Sequence, residues 1–448
     1  MVSSPIVYQT IPGAVTLNFH GVRDKFKKNI GGIKMSISKK DKQILRELSS
    51  KYMSIASLPV HKEKIELWKS LNRSQMQRPM VCIEQLPWNE LNENNEITCL
   101  VEDPFWNKIE WDLRTQIYKW NHFPVDMVLE PYITIPKSIH NSGYGLEIHV
   151  ERLELTEGTT AASQHFTNTL KDYDDIEKIK DMQITVDNNQ SEIWMNEAKE
   201  IFDGIAPIMQ GHGIGFHLGV WDYLTQLMSI EDAFYEIVDR PEFVHACMER
   251  ITEATIAGIK QANELKIHDD IVNLCHCSYV YTDELLPDCG KGKGSISKNS
   301  WSFGLAQLFT AVSPKVTEEF ELPYITRMAE YFGMIYYGCC DRLDDRLNII
   351  KRIPNLKKVS CSPWSNRKKF AEEIGNKLIM SNKPTPAFIA NDYVDWNNIR
   401  TDLQYTVDLA KANNVNLELI LKDVSTVNLK PERLTKWAEI AMEVVQNY

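Results

Sequence analysis

The sequence predicts an α/β fold: a (β/α)8 TIM barrel with an N-terminal helical extension and an inserted cap region. Two patterns predict it. Eight short apolar runs recur along the chain, most of them separated by amphipathic helical stretches, and reactive side chains gather where those runs end. Strands alternating with helices imply right-handed crossovers and a parallel sheet. Eight such units suggest closure into a barrel. A doubly wound open sheet is the alternative; the strand count and the lack of a Gly-x-Gly-x-x-Gly fingerprint argue against it.

The elements follow in order. Residues 1–34 have little periodicity and a small basic cluster (Arg23, Lys25, Lys27, Lys28), so they read as a leader or poorly ordered arm. From Lys39 to about Leu71, Ile44, Leu45, Leu48, Tyr52 and Ile55 lie at helical spacing. This gives a helical extension over 35–75, with the barrel over 76–448. The first run, Pro79–Ile83, ends at Glu84. The second, Asp126–Ile135, contains Glu130. The third, Ile205–Met209, leads into Gln210-Gly-His-Gly and His217. The fourth, Ile271–Leu274, ends at Cys275-His-Cys. The fifth, Met334–Tyr337, ends at Gly-Cys-Cys-Asp. The sixth, Leu356–Ser360, ends at Cys361, the seventh, Lys377–Met380, at Ser-Asn-Lys383, and the eighth, Asn416–Leu421, at Lys422-Asp423. Trp301–Tyr331 reads as helical. Gly143–Glu192 reads as the inserted cap, and Ser278–Ser300, with Gly290-Lys-Gly-Lys-Gly, as a mobile lid.

The chain has 448 residues, 43% hydrophobic and 25% charged, with a formal net charge of -11. That composition suits a globular protein and argues against nucleic-acid binding. No apolar stretch approaches the ~20 residues that span a bilayer, so no membrane role is expected. Nine scattered cysteines form no disulfide framework, which points to a reduced, cytoplasmic protein.

Cys339 and Cys340 are the most informative pair. In a strand–helix repeat, the carboxyl end of a strand is where ligands and reacting groups collect. Thiolates there can hold a soft or borderline metal or attack an electrophile. The plainer alternative is that both are small buried hydrophobes. His276, Cys277, Cys339 and Cys340 could supply zinc ligands from neighbouring strand ends, with Glu84 as an oxygen donor. Cys361 reads equally as a packing residue, His212 and His217 as core or loop hydrogen-bonders, and Lys422-Asp423 as a structural ion pair. Trp88 is one of several tryptophans that could line a pocket.

Five stretches together resemble the uroporphyrinogen decarboxylase superfamily: Arg78-Pro-Met-Val-Cys-Ile-Glu84, Asp239-Arg-Pro-Glu-Phe-Val-His245, Val312-Ser-Pro with Glu319-Phe-Glu-Leu-Pro-Tyr324, Tyr336-Tyr-Gly-Cys-Cys340 and Lys422-Asp-Val-Ser-Thr426. The match is nearest to decarboxylase-like proteins of anaerobic bacteria, related to corrinoid-dependent methyltransferases. The resemblance implies a (β/α)8 barrel with its site at the carboxyl face, and it implies one of two chemistries. Decarboxylases of the superfamily bind a tetrapyrrole without metal, and their amino-terminal arginine motif has no counterpart here. The methyltransferases hold zinc with a His-x-Cys pair and a later Cys. In this chain Tyr337-Gly-Cys339 falls where His-x-Cys would, and no Cys occurs around Ser381-Asn-Lys-Pro.

The expected function is therefore methyl transfer from a small O- or N-methylated compound to the cobalt of a corrinoid protein, a demethylation of the donor. A metal-independent decarboxylase is the alternative, with Lys383, Lys422 and Arg342 available to hold carboxylates. The expected metal ligands are His276, Cys339 and Cys340, holding zinc. Glu84, His276, Asp341 and Lys422 are the catalytic expectations, and Trp88, His212 and Lys383 the substrate-binding ones. The expected partners are the corrinoid protein and the methyl donor, with a homodimer as a further candidate.

Overall fold

The structure is a computed structural model that describes residues 37–152, 164–211, 214–270, 273–285 and 292–448. Residues 1–34, His212 and the start of the glycine–lysine loop lie outside the described residues. Two helices come first, Lys39–Ala56 and Val60–Asn72. Ser38 caps the first: its Oγ accepts the Asp41 N–H at 3.0 Å. Leu45, Leu48, Tyr52 and Ala56 form its buried face.

Fourteen strands follow among the described residues: β1 (Met80–Ile83), β2 (Ile133–Pro136), β3 (Ser138–Asn141), β4 (Val150–Arg152), β5 (Gln164–Phe166), β6 (Ile184–Asp187), β7 (Ile208–Gly211), β8 (Leu274–Cys275), β9 (Ser278–Tyr279), β10 (Trp301–Gly304), β11 (Met334–Tyr337), β12 (Leu356–Cys361), β13 (Ile379–Asn382) and β14 (Asn416–Leu421). The main sheet has six strands in the order β1-β14-β13-β12-β11-β10, and every pairing is parallel. Its strands are covered on both faces. β1, β10, β11, β13 and β14 are buried at every position, and β1 and β11 accordingly read as unbroken apolar runs rather than alternating ones.

The sheet is strongly curved. Neighbouring strands lie about 4.8 Å apart, so β11 and β14 would stand about 14 Å apart in a flat sheet. Yet Lys422, just after β14, touches Cys339, just after β11, with Nζ 2.7 Å from Sγ. Lys358 of β12 likewise reaches Glu418 of β14 across the intervening strand. The carboxyl ends converge on one centre.

Irregular segments continue both edges. Beyond β1, Asp126 donates its N–H to the Val81 carbonyl at 2.9 Å, and its carboxylate accepts the Val81 N–H and pairs with Arg78. Beyond β10, His217 forms a parallel bridge with Phe303, and the Leu218 N–H donates to the Phe303 carbonyl. Among the described residues no ladder joins the two edges. In the expected cap region, β3 pairs antiparallel with β6, and β4 with β5.

Three expected strands change. In the second run the strand is Ile133–Pro136, which pairs with β7 outside the main sheet. In the third, the strand begins only at Ile208. Of the fourth run, 271–272 lie outside the described residues, and Leu274–Cys275 belongs to a short hairpin with Ser278–Tyr279. The helix expected from Trp301 begins only at Pro314; Trp301–Gly304 is instead the strand at one edge of the main sheet. Short apolar runs have no period that separates helix from strand, and the aromatic residues here favour the strand. None of the described helices is long and apolar enough to cross a membrane.

Candidate active site

The site is built from the segments that leave β11, β12, β13 and β14, together with the β8–β9 hairpin. Gly338 starts it. Its φ is +89°, and a Cβ there would stand 2.6 Å from Leu343 Cδ1, so only glycine turns the chain this way. The turn presents Cys339 and Cys340. Asp341 accepts the Cys339 N–H at 2.7 Å, and Ser360 Oγ donates to the Cys339 carbonyl at 2.6 Å. Asp341 thus fixes the thiol segment from behind. Burial raises its pKa to about 6, although the Cys339 N–H draws it down.

Around the two sulfurs the contacts are close. Cys339 Sγ and Cys340 Sγ lie 3.5 Å apart, and Lys422 Nζ donates to Cys339 Sγ at 2.7 Å. Cys340 Sγ lies 2.8 Å from Asp423 Oδ2, which also pairs with Lys422 at 3.4 Å. The Cys340 thiol, as a hydrogen-bond donor, does most to hold Cys339 well below the ordinary thiol range. Burial opposes this, and the charges of Lys422 and His276 add to it. Cys340 is pushed up in turn by the same contact and by burial. Burial alone would lower Lys422, but Cys339, Cys277 and Asp423 hold it well above its usual value. Cys339 therefore carries the thiolate, and Lys422 is its ammonium partner.

His276 and Cys277 form the two-residue tip of the β8–β9 hairpin, with φ of +44° and +71°. Such a turn favours Asn and Gly, so His and Cys are held there against their preference. His276 is 5% exposed, and its ring engages the Cys339 side chain. Its ring stacks on Phe303 at 4.8 Å and meets Tyr336 edge-on at 5.3 Å. Burial lowers its pKa, although the Cys339 charge raises it.

His217 stacks on the same Phe303 ring at 4.6 Å and is paired with Asp222 at 2.7 Å. Lys383 is buried, donating to Tyr336 OH at 2.5 Å and to Ser381 Oγ at 2.7 Å.

The structure brings Cys339, Cys340, Lys422, His276 and Asp341 into one centre, with Lys383 one hydroxyl away through Tyr336. Glu84 is paired with Lys119 and acts on Cys277 only through its charge. Trp88 packs edge-on against Trp111 and Tyr118. Arg342 is paired with Asp344, and Cys361 is buried within β12. Asp423 is the functional group that sequence reasoning treated as structural. It sits in the left-handed region at φ +55°, which carries its carboxylate back to Cys340. Its position after a buried lysine at a strand end was the available signal.

The groups within common reach of one ion are Cys339, Cys340 and Asp423, whose ligand atoms all lie within 4.8 Å of one another. His276 is outside that trio. The trio suits zinc. Two Zn–S bonds at the tetrahedral angle put the sulfurs about 3.8 Å apart, close to the 3.5 Å found here. A two-sulfur, one-oxygen set also leaves a fourth position open, as catalytic zinc sites do. The surface cleft lined by Tyr393, Trp396, Arg433 and Glu439 shares no residue with this centre.

The fold and site together define an α/β protein with a thiolate–lysine–carboxylate cluster where parallel strands end, its Cys339 and Lys422 buried and its Asp423 exposed. No family model matches the chain, and no curated protein does. Among solved structures the chain is similar to a methyltransferase from Methanosarcina mazei, with 11% identity over 84% of this chain and 97% of that one, at a TM-score of 0.48. A likeness at that level carries no argument about chemistry.

Proposed function

We propose that the protein is a methyltransferase of the uroporphyrinogen decarboxylase superfamily, moving a methyl group from a small methylated compound to a corrinoid protein. In this reading the curved sheet is part of a closed (β/α)8 barrel, with 126–129 and 214–218 in its second and third strand positions. The observation that carries the proposal is the Cys339–Cys340–Asp423 trio beside Lys422. It offers the soft donor set that the superfamily's methyltransferases need, from residues other than their usual ones.

Cys339, Cys340 and Asp423 would hold zinc, which supplies Lewis acidity toward the leaving oxygen or nitrogen when bound. The rest falls to the chain's own groups. Lys422 holds Cys339 as thiolate. Asp341 and Ser360 fix the backbone that carries it. His276, beside Cys339, offers a ring N–H to the leaving group, which takes the bonding electron pair and then a proton as its methyl carbon bonds to reduced cobalt.

The rim suits a partner that must approach the site. Trp364, Tyr393 and Leu429 follow β12, β13 and β14, and each is about 70–80% exposed. Exposed large apolar side chains on the segments that leave these strands suit an interaction surface. The decarboxylase alternative is less well served: Lys422 and Arg342 already have acidic partners.

The test mixes the protein with reduced cobalamin or a corrinoid protein and a panel of methoxylated aromatics and methylamines. Methylcobalt formation is followed by absorbance. Silence across the panel, with carbon dioxide released from a carboxylated substrate, would move the assignment to a decarboxylase.

A further inference from the structure

Among the described residues, Cys339 and Cys340 are the one pair of cysteine sulfurs in contact, at 3.5 Å. The metal reading uses them as ligands, and their surroundings support a second chemistry. Disulfide formation needs a nucleophilic sulfur, a resolving thiol beside it, a base for the thiol proton and access for an oxidant. Each is present. Cys339 Sγ accepts from the Lys422 ammonium at 2.7 Å. Cys340 is next in the chain, and its thiol donates to Asp423 Oδ2 at 2.8 Å. Cys339 is buried, but Cys340 is partly exposed and the Asp423 side chain is 44% exposed, so the trio opens outward on the Cys340 side. Cys82, Cys275, Cys277 and Cys361 differ: they are buried, and burial raises each of those thiols.

The backbone makes such a bond easy to reopen. Adjacent Cα atoms stand about 3.8 Å apart across a trans peptide, short of the roughly 4.4 Å at which relaxed disulfides begin. Closing the pair must therefore turn the peptide between residues 339 and 340. That peptide's carbonyl accepts from Ser360 Oγ at 2.6 Å, and the Cys339 N–H donates to Asp341 at 2.7 Å. Both restraints favour the open dithiol, and strained disulfides are the readily reduced ones. Charge permits closure as well. Lys422 loses the thiolate but keeps Asp423 at 3.4 Å as its counter-charge.

We propose that Cys339 and Cys340 are an oxidation site, a dithiol that a small peroxide closes to a vicinal disulfide and that thiol reductants reopen. In the first step the Cys339 sulfur bonds to one peroxide oxygen, the O–O bond breaks and hydroxide leaves. In the second, Cys340 gives its proton to Asp423 and its sulfur attacks that of Cys339. The S–O bond breaks, and the departing hydroxide takes the proton from Asp423 and leaves as water. Thiolate, thiol and hydrogen peroxide thus give disulfide, water and hydroxide, and two electrons pass from the sulfurs to the peroxide. Disulfide sulfurs are no longer thiolate ligands, so the closed form would not hold zinc. That consequence rests on the metal site of the proposed function; the oxidation does not.

The test treats the full chain, stripped with a chelator and kept free of air, with equimolar hydrogen peroxide. Alkylation and peptide mass spectrometry then map the cysteines. The peptide carrying residues 339 and 340 is expected to lose two hydrogen atoms and to regain them with dithiothreitol. Cys82, Cys275, Cys277 and Cys361 should remain free thiols throughout. Cys340→Ala should stop at a sulfenic acid on Cys339, trapped by dimedone. In the wild type, sulfenic or sulfinic acid on Cys339 with Cys340 still free overturns the proposal. So does a bridge from either residue to another cysteine, or no oxidation in a large excess of peroxide. If the variant fails to fold, the wild-type map decides alone. Zinc content of the same samples separates the two readings: the reduced protein should bind zinc, and the oxidised protein less than about a tenth as much. Disulfide formation in a protein that binds zinc in neither state would keep the oxidation site and remove the metal reading.

Discussion

Lys422 and Cys339 come from segments 83 residues apart, and their Nζ and Sγ atoms meet at 2.7 Å in the buried centre of the site. Removing the ammonium removes a main support of the thiolate. Lys422→Met is therefore expected to raise the Cys339 titration by a unit or more, at about 1.4 kcal/mol per unit. Iodoacetamide labelling of chelator-treated protein, read by mass spectrometry of the Cys339 peptide, checks it. The wild type should label readily well below the ordinary thiol range; an unchanged profile in the variant would remove Lys422 from this role.

Metal content separates the ligands. Cys339→Ser, Cys340→Ser and Asp423→Asn should each lose most bound zinc while the fold is kept. His276→Gln should retain most of it and lose activity, because its ring nitrogens lie outside the trio. Elemental analysis after dialysis decides. Zinc loss in His276→Gln equal to that of the cysteine variants would return His276 to the ligand set.

The Lys358–Glu418 pair is wholly buried, at 2.7 Å. Lys358→Met leaves a carboxylate without its ammonium, and such single removals cost about 3–5 kcal/mol. The double change Lys358→Met with Glu418→Leu should recover most of that loss in denaturant unfolding. No recovery would mean that the residues act through packing rather than charge.

At the rim, Trp364→Ala and Tyr393→Ala should raise KM for a corrinoid protein severalfold each, since exposed aromatic anchors dominate interface energies. The rate with free cobalamin should not change. Equal losses with both acceptors would place these residues in fold maintenance instead.

Much of this was legible in the sequence, for reasons that can be named. The runs that became β1, β11, β12, β13 and β14 stood out because strands covered on both faces are mostly apolar. The Cys339–Cys340 pair stood out because it ended one of them. β10 was hidden, since Trp-Ser-Phe-Gly is too short to stand apart from the helical stretch that follows it, and with it went Phe303, the ring on which His217 and His276 both stack. Asp423 was visible, but its meeting with Cys340 depends on sheet curvature and a left-handed backbone, which no local pattern records. The same holds for His276, whose reach toward Cys339 comes from a two-residue hairpin turn rather than from a strand end.

The pairing of β1 with β14 also governs how the molecule can come into being. Met76 donates its N–H to Asn416 Oδ1 across 340 residues of chain, and Met80 pairs with Glu418. Among the described residues the ladder partner of β1 is β14, so that ladder must wait until β14 has been made. Contacts this distant in sequence are slow to form, and a nascent chain with an unpaired edge is prone to associate with others. Lys422 and Asp423 leave β14, so the reactive centre is assembled only after that strand has been made and paired.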